Sequence, residues 1–190
     1  MKHNSVAEIR ALLNNGLVEE LLFVVDELDR PLAPAPRSQV IRERLWRRAS
    51  GILIANTSLD QILCHKRAAT KDERPDVWVL MFGGKCAPGE APSETARREV
   101  GEEAGIGLGE NSINFFAKVK SDNHHQFEYL HWAPWAGDAS SLAYDQAEVA
   151  EIKWFDTDAA YANLSLPAEG WYCYSPQELA LIRHIGALAS

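Results

Sequence analysis

The feature that most constrains this chain is one helix pinned between glycines. Ala96, Val100 and Ala104 recur every four residues and form a packing stripe of small side chains, and Gly105 stops the run. Ser93 is the expected N-cap. Away from the stripe, Glu99, Glu102 and Glu103 stand at i, i+3 and i+4, so three carboxylates share one face within roughly a hundred degrees of arc. Gly84 and Gly89 allow a tight backbone path into the helix.

The stripe has to be buried on something, and the flanking sequence reads as strands. Gly51 to Ala55, Gln61 to His65 and Val77 to Phe82 precede the helix; Ile113 to Val119, Phe127 to Pro134 and Val149 to Phe155 follow it. Two further helices are expected at Asp156 to Asn163 and Pro176 to Ala189. The fold class is therefore α+β, a mixed sheet sandwiched by helices. At the start, Val6, Ile9, Leu12 and Leu13 predict a short amphipathic helix ended by Gly16, and Leu21 to Asp26 predicts a strand. Residues 29–38, with Pro31, Pro34 and Pro36, read as a connector, which divides the chain into an extension, 1–36, and a domain, 37–190.

Composition enters as a filter. At 190 residues, with 46% hydrophobic and 24% charged residues, the chain is a folded domain and not a disordered one. A net charge of -8 argues against coating a nucleic-acid polymer, so a phosphate-bearing ligand has to be met locally. Cys64, Cys86 and Cys173 show no paired spacing, which fits a reduced, cytoplasmic setting. The N-terminus lacks the apolar core of a signal peptide, and Leu21 to Val25 is too short to span a bilayer, so no membrane partner is expected.

Three glutamates crowded on one helical face repel one another unless a cation joins them. Hard oxygen donors select Mg2+, or Mn2+, over zinc. Such an ion neutralises and orients a diphosphate and acidifies a bound water, while a glutamate not saturated by metal can take the water's proton. Glu90 is a further ligand or a holder of loop amides, and Arg98 would orient a glutamate through a charge-assisted bond. Taken alone, the three glutamates read first as an acidic solvent-facing surface with Arg98 as its ion-pair partner.

The longer pattern decides between these readings. From Gly84, five residues lead to Glu90, seven more to Arg98-Glu99-Val100, and Glu102-Glu103 is followed by Gly105-Ile106. Every fixed position resembles the Nudix box. The resemblance implies a Nudix-type α/β/α sandwich, hydrolysis of a substrate of the form X-diphosphate, and metal and base roles shared among Glu99, Glu102 and Glu103. Gly84 and Lys85 lie in the expected substrate loop.

Upstream segments extend the likeness. Val25-Asp26-Glu27, Arg44 to Ala49, Lys66 to Lys71 and Pro75 to Trp78 are similar to the Nudix branch related to isopentenyl diphosphate isomerase. There an arginine and lysine at the spacing of Arg67 and Lys71 grip the diphosphate. The departures weigh more. Gly83 stands where the isomerase has its catalytic cysteine, Lys85 where it has a histidine ligand, and Ile41 and Arg47 where upstream histidines belong. Cys86 is out of register. Near the C-terminus, Ala147 to Phe155 resembles a late strand of many Nudix enzymes, which makes Glu148 a candidate extra ligand or base and Glu151 a structural residue.

Other candidates are weaker. His124 and His125 titrate near neutrality but point oppositely on an extended strand. Trp132, Trp135, Trp171, Tyr172 and Tyr174 read first as core or interface. The expected function is metal-dependent hydrolysis of a diphosphate in a small molecule, with a homodimer possible. Allylic isomerisation and a non-catalytic ligand-sensing module are the rivals.

Overall fold

The computed structural model describes residues 19–71, 74–166 and 168–189. The expected helix before Gly16 lies outside them. Along the chain run β1 (Leu21–Leu22), β2 (Ala35–Pro36), α1 (Arg37–Arg42), β3 (Arg47–Ala55), β4 (Gln61–Arg67), β5 (Trp78–Val79), β6 (Phe82–Lys85) and α2 (Pro92–Ala104). These are followed by β7 (Asn114–Ser121), β8 (Gln126–Pro134), β9 (Val149–Asp156), α3 (Thr157–Ser165) and α4 (Pro176–Leu188).

Seven strands form one mixed sheet. β3 and β8 run parallel in the middle, β7 flanks β8, and β4, β5, β6 and β9 join antiparallel. Alternation along β3 assigns the two faces. Ile52 and Ile54 pack with Leu63, Phe82, Val100 and Ile152 beneath α2, while Leu53 and Ala55 pack with Ile62, Cys64, Leu130 and Ile182 beneath α3 and α4. The α/β/α layering is thus written in the period-2 pattern of one strand.

Val77 to Phe82, expected as a single strand, is two. Trp78–Val79 pairs with β4, and Phe82–Lys85 pairs with β3. The cause is a fork in the sheet: β3 pairs with β6 through residues 49–52 but with β4 only at Ile54 and Ala55. The chain has to cross from one branch to the other at Leu80 and Met81. Among the described residues β6 pairs with β3 alone, so its second edge opens into the fork.

The expected strand at Leu21 to Asp26 is reduced to Leu21–Leu22, continued by single bridges at Val24 and Val25. Within the expected connector, Ala35–Pro36 pairs with β1. This segment is stitched to the sheet. Phe23 N–H donates to Cys86 O (3.0 Å), Val25 N–H to Trp46 O (3.0 Å) and Arg48 N–H to Phe23 O (3.3 Å). Asp29, in the left-handed region at φ 64°, sends a buried carboxylate to Arg48 Nε (2.7 Å), Lys118 Nζ (2.9 Å) and the Tyr129 hydroxyl.

Candidate active site

Helix α2 begins one turn's edge earlier than Ser93 predicts. Ala91 is the N-cap residue, Pro92 takes the first helical position, and Glu94 accepts from the Ala91 N–H (2.8 Å). Proline suits that position because its missing N–H would be unsatisfied there anyway. Ala96, Val100 and Ala104 are fully buried against the sheet. At the far end Gly105 adopts φ 69°, and a Cβ there would lie 2.6 Å from Ala143 O, so only glycine closes the helix.

The glutamates face the fork. Glu103 accepts from the Gly83 N–H on the open edge of β6 (3.2 Å). Glu99 lies over Gly84, where a Cβ would come within 2.2 Å of its Oε1, so the glycine makes room for the carboxylate. Glu102 sits further out with its side chain 55% exposed. Burial, followed by the charge of Glu99, pushes Glu103 up to about 8, and burial also raises Glu99 despite its contact with Arg98. Two desolvated carboxylates whose charge is resisted are sites where a cation is favourable.

Arg98 organises the near side. Its Nε meets Glu90 Oε1 (2.9 Å), and its Nη1 meets Glu99 Oε1 (2.6 Å) and Glu102 Oε2 (3.0 Å). Of the two roles the sequence allows Glu90, its contacts are those of the loop-holding one. Its oxygens accept from Ala87 N–H (3.0 Å), Thr95 Oγ1 (2.8 Å) and Arg98, which outweigh the burial that would raise its pKa and leave it lowered.

Across the fork, Arg67 ends β4 where the ladder with β9 slips by one residue, and the charges of Arg67 and Glu148 both act on Glu103. Lys71 forms an ion pair with Glu148, and Ala68 N–H donates to Glu148 O (3.0 Å). Lys71 is thereby attached to the loop before β9, next to the Glu148 whose charge acts with that of Arg67 on Glu103. Lys85 points to the opposite face of the sheet from Gly84 and donates to Gln126 Oε1 (2.7 Å). Gln126 and its neighbour Glu128 carry no motif signal. The available sign was a polar pair extending the stripe of Leu130 and Trp132 on the inward face of β8.

The remaining candidates stand elsewhere. His125 stacks on Trp46 with ring centroids 5.0 Å apart in the β7–β8 hairpin, and His124 is exposed. Trp135 stacks on Trp154, Trp171 on Trp78, and the buried Tyr174 hydroxyl accepts from Leu80 N–H (3.0 Å), so these aromatics are packing residues. Burial pushes the Cys86 thiol up to about 11.

Among the described residues no three His, Cys, Asp or Glu side chains are already gathered on one point able to hold a metal ion. Glu99, Glu102 and Glu103 nevertheless fit a hard cation by donor type and by the resisted charge on two of them.

A helix that carries three glutamates and is entered through a glycine loop, on a mixed sheet between helices, defines a class, and comparison with known proteins identifies it. The NUDIX domain family model matches residues 45–174. The chain belongs to the Nudix family and is a Nudix hydrolase. It is 30% identical over 170 residues to the Nudix hydrolase orf19 of Rhodococcus erythropolis, covering 86% of this chain and 90% of that one. It is also 30% identical over 143 residues to an isopentenyl-diphosphate Delta-isomerase of Burkholderia multivorans, covering 73% and 79%. The crystal structure of DR0079 from Deinococcus radiodurans shares the fold, with TM-score 0.68 and 19% identity over 87% of this chain and 99% of that one. The family generally acts on diphosphate linkages and uses divalent cations.

Proposed function

We propose that this chain hydrolyses the diphosphate of a small molecule X-diphosphate, X being of nucleoside type, with Glu99, Glu102 and Glu103 holding Mg2+ or Mn2+. Bound there, the ion would supply charge neutralisation and a more acidic water. The carrying observation is that Glu99 and Glu103, desolvated and mutually repelling, stand against Gly84 and Gly83 of β6, with Glu102 beside them on the helix and joined to Glu99 through Arg98.

The chain's own residues have separable tasks. Arg98 and Glu90 fix the loop from Lys85 to Glu90 against α2. Gly83 holds Glu103 in place through its amide. Arg67, and Lys71 once exchanged from Glu148, would bind phosphate oxygens. Water oxygen attacks one phosphorus, the bridging P–O bond breaks, and the water's proton passes to a glutamate that the ion does not saturate, with Glu148 the candidate outside the helix, leaving XMP and phosphate. The reaction takes place on a small molecule in the cytoplasm, with no nucleic-acid polymer or membrane as partner, and a homodimer is compatible with it. No described helix is long and apolar enough to cross a membrane.

The test is a Mg2+-dependent screen of nucleoside di- and triphosphates, dinucleotides and isopentenyl diphosphate with wild type and Glu102→Gln. Phosphate release lost in the variant supports hydrolysis. Double-bond migration would instead establish isomerase chemistry, which the Burkholderia multivorans relative favours and which Gly83, Lys85 and Arg47 oppose. Tight ligand binding with no turnover would establish a sensing module.

A further inference from the structure

On the sheet face away from α2, three side chains form a polar relay that the proposed chemistry does not use. Lys85 Nζ donates to Gln126 Oε1 (2.7 Å), and the Gln126 amide donates to Glu128. Gln126 is only 8% exposed. Burial resists the charge of Glu128, and the positive charge of Lys85 counters that. A strand carboxylate placed this way needs hydrogen-bond donors. Gln126 occupies only one of the roughly four acceptor positions of the carboxylate.

Between Glu128 and the fork the sheet carries two glycines, with Met81 lying over one of them. Gly51 of β3 and Gly83 of β6 are register partners. A Cβ on Gly51 would lie 2.9 Å from Met81 Sδ and 3.5 Å from Glu128 Oε1, and a Cβ on Gly83 would lie 2.4 Å from Ser50 O. No side chain can rise from either position without displacing a neighbour. The floor therefore runs from Gly83, whose amide holds Glu103, across β3 to Glu128 on β8. Two strand spacings make that roughly 10 Å, the reach of a nucleoside-sized group and more than a diphosphate alone needs. Met81 lies over the floor, and its unbranched thioether can move aside for a ligand.

We infer that Glu128 is the specificity residue for X, accepting a hydrogen bond from a hydroxyl or amine of X laid across Gly83 and Gly51. The chain then selects polar X groups over hydrocarbon ones. A hydrocarbon in that position would strip water from Glu128 and give no donor in return, and a site built to hydrogen-bond its ligand rejects the analogue that lacks the group. This inference rests on the hydrolytic reading above.

The test uses the full chain with Mg2+ and matched diphosphates of one linear alkyl chain ending in methyl, hydroxyl or ammonium, alongside adenosine and uridine diphosphates. For wild type, kcat/KM on the hydroxyl or ammonium substrate should exceed that on the methyl one by on the order of a hundredfold. Glu128→Leu should bring this ratio below about five, chiefly by raising KM for the donor substrates while methyl-substrate turnover persists. Glu128→Gln, which keeps an acceptor of the same size, should retain most of the preference for the hydroxyl. The hydroxyl and ammonium arms separate a ribose-like donor from an amine donor. Equal turnover of all three alkyl substrates by wild type, or an unchanged ratio in Glu128→Leu, overturns the inference and leaves the hydrolase reading standing. If wild type releases no phosphate from any substrate, the hydrolytic reading fails and this inference with it.

Discussion

Arg98 Nε lies 2.9 Å from Glu90 Oε1, and the same guanidinium spans Glu99 and Glu102, so one side chain ties the loop, the helix and two of the three acidic groups together. Arg98 and Glu90 side chains are 19% and 17% exposed, which places their pair on the buried side of the usual range. Arg98→Met should therefore cost about 3 kcal/mol of stability, read by urea denaturation, because it leaves partly buried carboxylates without a partner. Arg98→Lys keeps the charge but not the fork of donors, and should recover no more than about half of that loss.

Taking away the room that Gly84 leaves for the Glu99 carboxylate should separate metal binding from folding. A methyl group there meets the flexible end of Glu99, so Gly84→Ala should push that carboxylate aside at a stability cost of about 1 kcal/mol. Mg2+ affinity, measured by calorimetry, should fall by about tenfold or more. An unchanged affinity would mean that Glu99 does not contribute to the ion site.

Glu103 gives the site a pH signature. Its folded pKa of about 8 lies above the ordinary carboxylate value, so its contribution to stability is full at acid pH and is lost as pH rises towards 8. A cation that needs the ionised form competes with the proton. Apparent Mg2+ affinity should climb by up to about tenfold per pH unit from pH 6 to 8 and flatten above, and the climb should vanish in Glu103→Gln. Titration calorimetry in buffers of different ionisation enthalpy would detect the released proton.

The opposite sign holds at Asp29. Burial alone would raise its pKa, but hydrogen bonds from Tyr129, Arg48 and Lys118 outweigh it and hold the group below its ordinary value. That network stabilises above the ordinary carboxylate pKa and is lost as pH falls through the folded one. Asp29→Asn, which tolerates the same left-handed backbone, should lose about 3 kcal/mol at pH 7 and progressively less towards pH 3, followed by chemical denaturation.

The sequence made α2 legible because two signals coincide there, a four-residue stripe and three acids at i, i+3 and i+4. Its start was misplaced because Ser93 looks like a cap, whereas Pro92 followed by Glu94 was the better sign. The Val77 to Phe82 run hid its break because nothing polar marks Leu80 or Met81; the break is set by where β3 changes partner, a tertiary fact. Glu128 was invisible for a related reason. A charged residue in an alternating strand reads as solvent-facing, and only the register with Ala49 and Lys85 brings it over a floor of glycines. The pairing of Lys71 with Glu148 joins positions 77 residues apart and has no local trace.

Phe23 N–H donates to Cys86 O and Cys86 N–H donates to Arg48 O, so the glycine loop is braced by the segment after β1 and by β3. Residues with no reactive group of their own thereby govern how far that loop can breathe. Because the contacts are made by main-chain atoms, the brace is indifferent to which side chain stands at position 23 and would be cut there only by proline, which has no N–H to give.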